Sequence, residues 1–90
     1  MPIRHNHAEQ QFIYITEEDI PAGKLSYRYL SDDTIDAYHT RVFDEFQGKG
    51  IAGELYNALI TFALAQNLRI KPSCSYIELR MRRSHPELIA

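Results

Sequence analysis

The alternation of apolar and polar positions along this chain changes period once, near residue 50. Before that point the period is two. Phe12-Ile13-Tyr14-Ile15 is rich in β-formers and is bounded by Glu17-Glu18-Asp19, which predicts a strand. Ile20-Pro21-Ala22-Gly23-Lys24 carries turn punctuation. Leu25, Tyr27 and Tyr29 then share one face of a second strand over residues 25–30, and Ser31-Asp32-Asp33 reads as a tight polar turn. Residues 34–42 predict a third strand, with Ile35, Ala37, His39 and Arg41 on one side and Tyr38, Thr40 and Val42 on the other. Short connections make these three strands an antiparallel meander.

After residue 50 the period becomes helical. Ile51, Leu55, Leu59, Phe62 and Ala63 form one stripe, so a helix is expected from about Gly50 to Gln66, with Asn67 as a left-handed C-cap. Leu68-Arg69-Ile70-Lys71 ends at Pro72 and reads as a fourth strand. Ser75-x-x-Glu78 matches a capping box, placing a second helix near Tyr76 and ending it by His85, before Pro86. The order β-β-β-α-β-α describes an α+β domain: a mainly antiparallel sheet with helices, over residues 1–90.

Composition narrows the function classes. A chain of 90 residues with 44% hydrophobic and 11% aromatic content is one small folded domain with a thin core. A net charge of −2 provides no global attraction for nucleic acid. The single cysteine excludes an internal disulfide. No apolar run is long enough to span a membrane, and residues 1–7 lack the apolar core of a signal peptide, so the cytosol is the expected compartment. His5-x-His7 reads as a frayed terminus rather than a metal site.

The chemistry concentrates where the period changes. Gly48-Lys49-Gly50-Ile51-Ala52-Gly53 reads as G-x-G-x-x-G, but the context of a dinucleotide fold is missing: the upstream strands are hairpins, too little chain follows, and the next acid, Glu78, belongs to the second helix. A P-loop is excluded because no Gly-Lys-Ser or Gly-Lys-Thr occurs. Shifted by one residue, Gln47-Gly48-Lys49-Gly50-Ile51-Ala52 fits Q/R-x-x-G-x-G/A. Glycines let backbone approach a ligand, and the free N–H groups of a helix's first turn favour an anion at the same place. Lys49 adds positive charge.

That hexapeptide resembles the pyrophosphate-binding motif of the GNAT superfamily of acetyltransferases. With His39-Thr40-Arg41-Val42, Pro72-Ser73-Cys74-Ser75-Tyr76 and His85-Pro86-Glu87, the chain resembles a minimal, single-domain GNAT-like N-acetyltransferase over about residues 12–88. The resemblance implies acetyl-CoA as cosubstrate. Thr40, Arg41 and Val42 would pair with the pantetheine arm, and Gln47, Gly48, Lys49, Gly50, Ile51, Ala52 and Gly53 would hold the pyrophosphate. Arg80, Arg82 and Arg83 form a basic cluster for the 3′-phosphate, with a solvated helix face as the alternative. The acidic Asp44 and Glu45 must point away from the phosphates.

Three residues are candidates for the chemistry. Cys74, at the start of the second helix, is a nucleophile, a pocket wall or an inert core residue; a thiol at a helix N-terminus ionises more readily. His39 is a candidate general base able to pair with Cys74, or a histidine bonded within the sheet. Tyr76 is a candidate acid for the departing thiolate. The expected activity is acetyl transfer to a primary amine, small or macromolecular. The alternatives are a non-catalytic module that holds acetyl-CoA or CoA, and a protein-interaction domain. No nucleic-acid or membrane partner is expected.

Overall fold

A computed structural model describes residues 2–90. Five strands form one sheet in the order β1-β2-β3-β4-β5: β1 (Ile3–Asn6), β2 (Gln11–Ile15), β3 (Pro21–Ser31), β4 (Thr34–Val42) and β5 (Arg69–Lys71). The first four are joined by hairpins and pair antiparallel. β5 pairs parallel to β4 through Thr34↔Arg69, Ile35↔Ile70 and Asp36↔Lys71. Two helices, α1 (Ile51–Gln66) and α2 (Ser75–Ser84), complete the domain. The expected α+β, mainly antiparallel sheet is present, with one additional strand at its N-terminal edge.

The helix α1 keeps the predicted bounds because both ends are fixed locally. Gly50 and Asn67 take left-handed conformations (φ 77° and 56°), and the Asn67 N–H caps the carbonyls of Ala63 and Leu64. Its stripe of Ile51, Leu55, Leu59 and Ala63 is buried. The stripe packs against Phe12, Leu25, Tyr27, Ile35 and Ala37 of the sheet and against Ile77 and Met81 of α2. Gly23 is required by close approach: a Cβ there would lie 3.0 Å from the Arg41 carbonyl and 3.1 Å from the Ile51 side chain. Pairing of Gly23 with Tyr14 and Val42, and of Lys24 with Ile13 and Arg41, makes residues 21–24 part of β3 rather than the expected turn, which sits instead at residues 16–19, with Asp19 at φ 66°.

Two further expectations are corrected. β1 replaces the frayed terminus: Ile3↔Tyr14 and His5↔Phe12 pair across the hairpin, and the His5 ring stacks on Phe12 at 4.1 Å and meets Phe62 edge-on at 4.5 Å. The capping box is absent. Cys74, not Ser75, is the N-cap of α2, without a side-chain cap bond, and Glu78 pairs with Arg82 at 3.1 Å along the helix.

His5 also makes stability depend on pH. It hydrogen bonds the Tyr27 hydroxyl, whose pKa burial, then Tyr29, pushes up to about 12. Burial first, and neighbouring His7 second, holds the His5 pKa below the usual histidine value. The fold therefore favours the neutral ring, and the unfolded chain binds a proton more readily. The stability His5 contributes is complete above its unfolded pKa of about 6.5 and is lost as pH falls through the lower folded value. Thermal unfolding between pH 8 and pH 5 is expected to show a falling Tm, with a shallower fall in His5→Gln.

Candidate functional site

The loop that enters α1 is shaped by two glycines. A single 3-10 turn over Asp44–Phe46 and an extended Gln47 lead into Gly48 and Gly50, at φ 80° and 77°. A Cβ at either glycine would meet nothing within 4 Å, so backbone conformation, not crowding, demands glycine there. Gly50 is the N-cap and supplies no side-chain partner, and the first helical bond runs from the Glu54 N–H to the Gly50 carbonyl at 3.2 Å. The N–H groups at the start of α1 thus remain available at the positive end of a 16-residue helix.

These groups border a cleft of about 410 Å³. One side of it is Val42, Phe46, Gln47, Gly48 and Gly50. The other is Ile51, Ala52 and Gly53 of α1 with Tyr76 and Arg80 of α2. Arg80 is the cation inside it. Its guanidinium lies 4.6 Å from the Tyr56 ring centroid, donates to the Tyr76 hydroxyl at 2.7 Å, and passes Gly53, where a Cβ would stand 3.4 Å from Nη1. The basic cluster read from the sequence therefore divides. Arg80 faces the cleft, whereas Arg82 pairs with Glu78 and Arg83 is exposed. Lys49 does not line this cleft. Its ammonium sits 5.7 Å from the Phe46 ring and borders a separate depression with Glu17 and Glu18.

The second element of the site is the edge of β4. β5 runs beside it for only three residue pairs, because Pro72 has no N–H to continue the ladder. One more bond, from the Cys74 N–H to the Ala37 carbonyl at 3.0 Å, closes the contact. A bulge at Tyr38 shifts the register with β3 from Tyr27↔Ala37 to Ser26↔His39. Phe43 donates to the Ala22 carbonyl, so antiparallel alternation turns the backbone groups of Thr40 and Val42 toward the uncovered edge. The Gln47 amide reaches the Val42 carbonyl at 3.3 Å, and its other contact is Asp44 at 3.5 Å, outside the cleft lining.

The bulge also corrects the assignment of faces on β4. Ile35 and Ala37 share the helix-covered face with Thr40 and Val42; His39 and Arg41 turn to the opposite face and are exposed. Cys74, half-buried, donates to the Thr40 hydroxyl at 3.5 Å. His39 and Cys74 are therefore not brought together. Of the three candidates, Tyr76 lies in the cleft, Cys74 lies beside the β4 edge, and His39 lies across the strand from it.

Two interactions were not legible in the sequence. His85 Nδ1 and the Tyr56 hydroxyl lie 2.6 Å apart, which ties the end of α2 to α1, and burial raises the Tyr56 pKa. Asp36, the one buried acid among the described residues, accepts from Arg28 at 3.1 Å through Oδ2. An acid on the pattern Ile35-Asp36-Ala37 signals only a solvent-facing strand position, and its burial arises from the side chains around it.

The fold agrees with comparisons to other proteins. The family described as GCN5-related N-acetyl-transferase matches residues 11–90, and the chain belongs to that family. It is 33% identical over 79 residues to Protein NATD1 of Bos taurus, covering 86% of this chain and 70% of that protein. The Xenopus tropicalis NATD1 is 32% identical over 76 residues, with 84% and 70% covered. A GCN5-like protein of Staphylococcus aureus superposes with a TM-score of 0.73 at 28% identity, over 98% of this chain and 86% of that one. A GNAT acetyltransferase of Elizabethkingia anophelis, solved with acetyl-CoA bound, shares the fold at a TM-score of 0.63 and 18% identity, covering 83% of this chain and 51% of that one. No helix among the described residues is long and apolar enough to cross a membrane.

Proposed function

We propose that this protein transfers the acetyl group of acetyl-CoA to a primary amine. The observation that carries the reading is the convergence of Gly48, Gly50, the open start of α1 and Arg80 on one cleft beside the free edge of β4. A pyrophosphate suits the amide nest and the guanidinium. The amide-bearing pantetheine arm suits the edge-facing backbone of Thr40 and Val42, as an added strand would, with the Gln47 amide giving up the Val42 carbonyl. The thioester then lies near Cys74 and Tyr76. The amine nitrogen attacks the thioester carbonyl, a C–N bond forms, and the C–S bond breaks. Tyr76, oriented by Arg80, gives its proton to the leaving thiolate and recovers one from solvent. His39 is exposed on the other face of β4, where it takes the proton of an amine arriving from that side.

Cys74 has the Thr40 hydroxyl, not a base, as its neighbour, which favours direct transfer over an acetyl-cysteine intermediate. Cys74→Ala is therefore expected to fold and to keep transfer activity within about threefold of the parent, since only a thiol the size of a methyl group is lost. A loss of 100-fold or more with unchanged coenzyme binding, on the order expected for a missing nucleophile, would restore the covalent route.

Thermal shift with acetyl-CoA, CoA, ATP and NAD, followed by turnover against an amine panel, tests the reading as a whole. Acetyl-CoA and CoA are expected to raise Tm and NAD is not. Stabilisation without turnover on any amine would leave a coenzyme-binding module instead.

A further inference from the structure

The charge of this chain is segregated by the sheet. Both helices cover one face: Gly23 meets Ile51 and Leu55, and Cys74 meets Thr40, whose partner across the ladder is Leu25. The hairpins leave the opposite face without a helix. Register and alternation place Arg4, Lys24 and Arg41 there in one row, in the pairing Arg4↔Ile13↔Lys24↔Arg41. Arg28 and Lys71 flank Asp36 in a second row, and Arg69 is two residues from Lys71 on β5. These are six of the ten lysines and arginines of a chain whose net charge is −2. Asp36 is the only one of the twelve carboxylates on a strand; the other eleven lie in turns and helices. Arg4 pairs with Asp19 and Arg28 with Asp36, whereas Lys24, Arg41 and Lys71 form no ion pair among the described residues.

We infer that this uncovered face docks an acidic protein segment, an extended run of aspartate and glutamate. Like-charged side chains held side by side repel one another unless a partner of opposite charge spans them. The guanidinium of Arg41 is held 5.2 Å from the Phe43 ring, so its planar fork is pre-ordered for a carboxylate, and Arg28, 5.2 Å from the Tyr38 ring, already makes such a pairing with Asp36. An extended peptide presents same-side carboxylates about 7 Å apart, the spacing of Arg69 and Lys71 along β5, and long lysine and arginine side chains take up the difference from the strand spacing of about 4.8 Å. Single-stranded nucleic acid fits less well, because binding there rests on open aromatic platforms and the rings this face offers, Tyr38 and Phe43, are already covered by Arg28 and Arg41. The inference does not depend on coenzyme binding.

Fluorescence anisotropy of a labelled deca-glutamate peptide against the full chain tests it. Binding is expected at low salt and is expected to weaken as salt rises. Lys24→Glu/Arg41→Glu/Lys71→Glu is expected to weaken it at least about tenfold, while Arg82→Glu/Arg83→Glu on α2 leaves it within about twofold. If the triple reversal disturbs the circular dichroism spectrum, the three glutamine substitutions replace it, with the same order expected. The inference is overturned if the peptide does not bind, if the α2 variant weakens binding as much as the sheet variant, or if single-stranded DNA of equal charge binds more tightly.

Discussion

Ala52→Glu is expected to abolish acetyl-CoA binding while leaving the fold intact or slightly more stable. Ala52 lies in the first turn of α1 and lines the cleft, half-buried. A carboxylate in a first helical turn interacts favourably with the helix dipole, by about 0.3–1 kcal/mol. In the proposed complex the same carboxylate sits where the pyrophosphate must lie, and like charges so placed cost several kcal/mol, or roughly 100-fold or more in Kd. Isothermal titration of acetyl-CoA and a thermal melt of the same sample check both halves. Undiminished binding would mean that the coenzyme phosphates lie elsewhere.

Leu59→Ala is expected to have the largest effect on stability. Leu59 is fully buried in the middle of α1, within the cluster that joins sheet and both helices. Truncating such a leucine costs about 2–5 kcal/mol, transfer and cavity together. Small domains hold only about 5–15 kcal/mol in total, so the variant is expected to lose a large share of its stability. Urea denaturation with an unchanged m value and a lowered midpoint would report it. A midpoint shift equal to that of an exposed substitution such as Leu64→Ala would contradict the packing described.

Parts of this architecture were legible because the information is local. The helix α1 announces itself by its stripe and by Gly50 and Asn67 at its ends. The glycine loop is legible for the same reason, since glycine takes the positive φ found at residues 48 and 50 at the least cost. Features set by contact between distant segments were not legible. Ile3-Arg4-His5-Asn6 carries too few apolar positions to predict a strand, and its pairing with β2 and the stacking of His5 on Phe12 create one. The bulge at Tyr38 has no signature in Ala37-Tyr38-His39, yet it decides that Thr40 rather than His39 meets Cys74. Arg80 was one of the three clustered arginines Arg80, Arg82 and Arg83, and only the packing of α2 beside Tyr56 and Gly53 selects it for the cleft. The Ser75-x-x-Glu78 pattern was legible but one residue out of frame, because Cys74 occupies the cap position.

The proposal rests on where a coenzyme sits, and amide NMR of the labelled chain titrated with acetyl-CoA tests that directly. The account predicts saturable shifts of the Gln47, Gly48, Gly50, Ile51, Ala52 and Gly53 amides together with Thr40 and Val42, and of the Arg80 side chain. Shifts confined to the far edge of the sheet, around His5 and Phe62, or no shifts at saturating coenzyme, would contradict it.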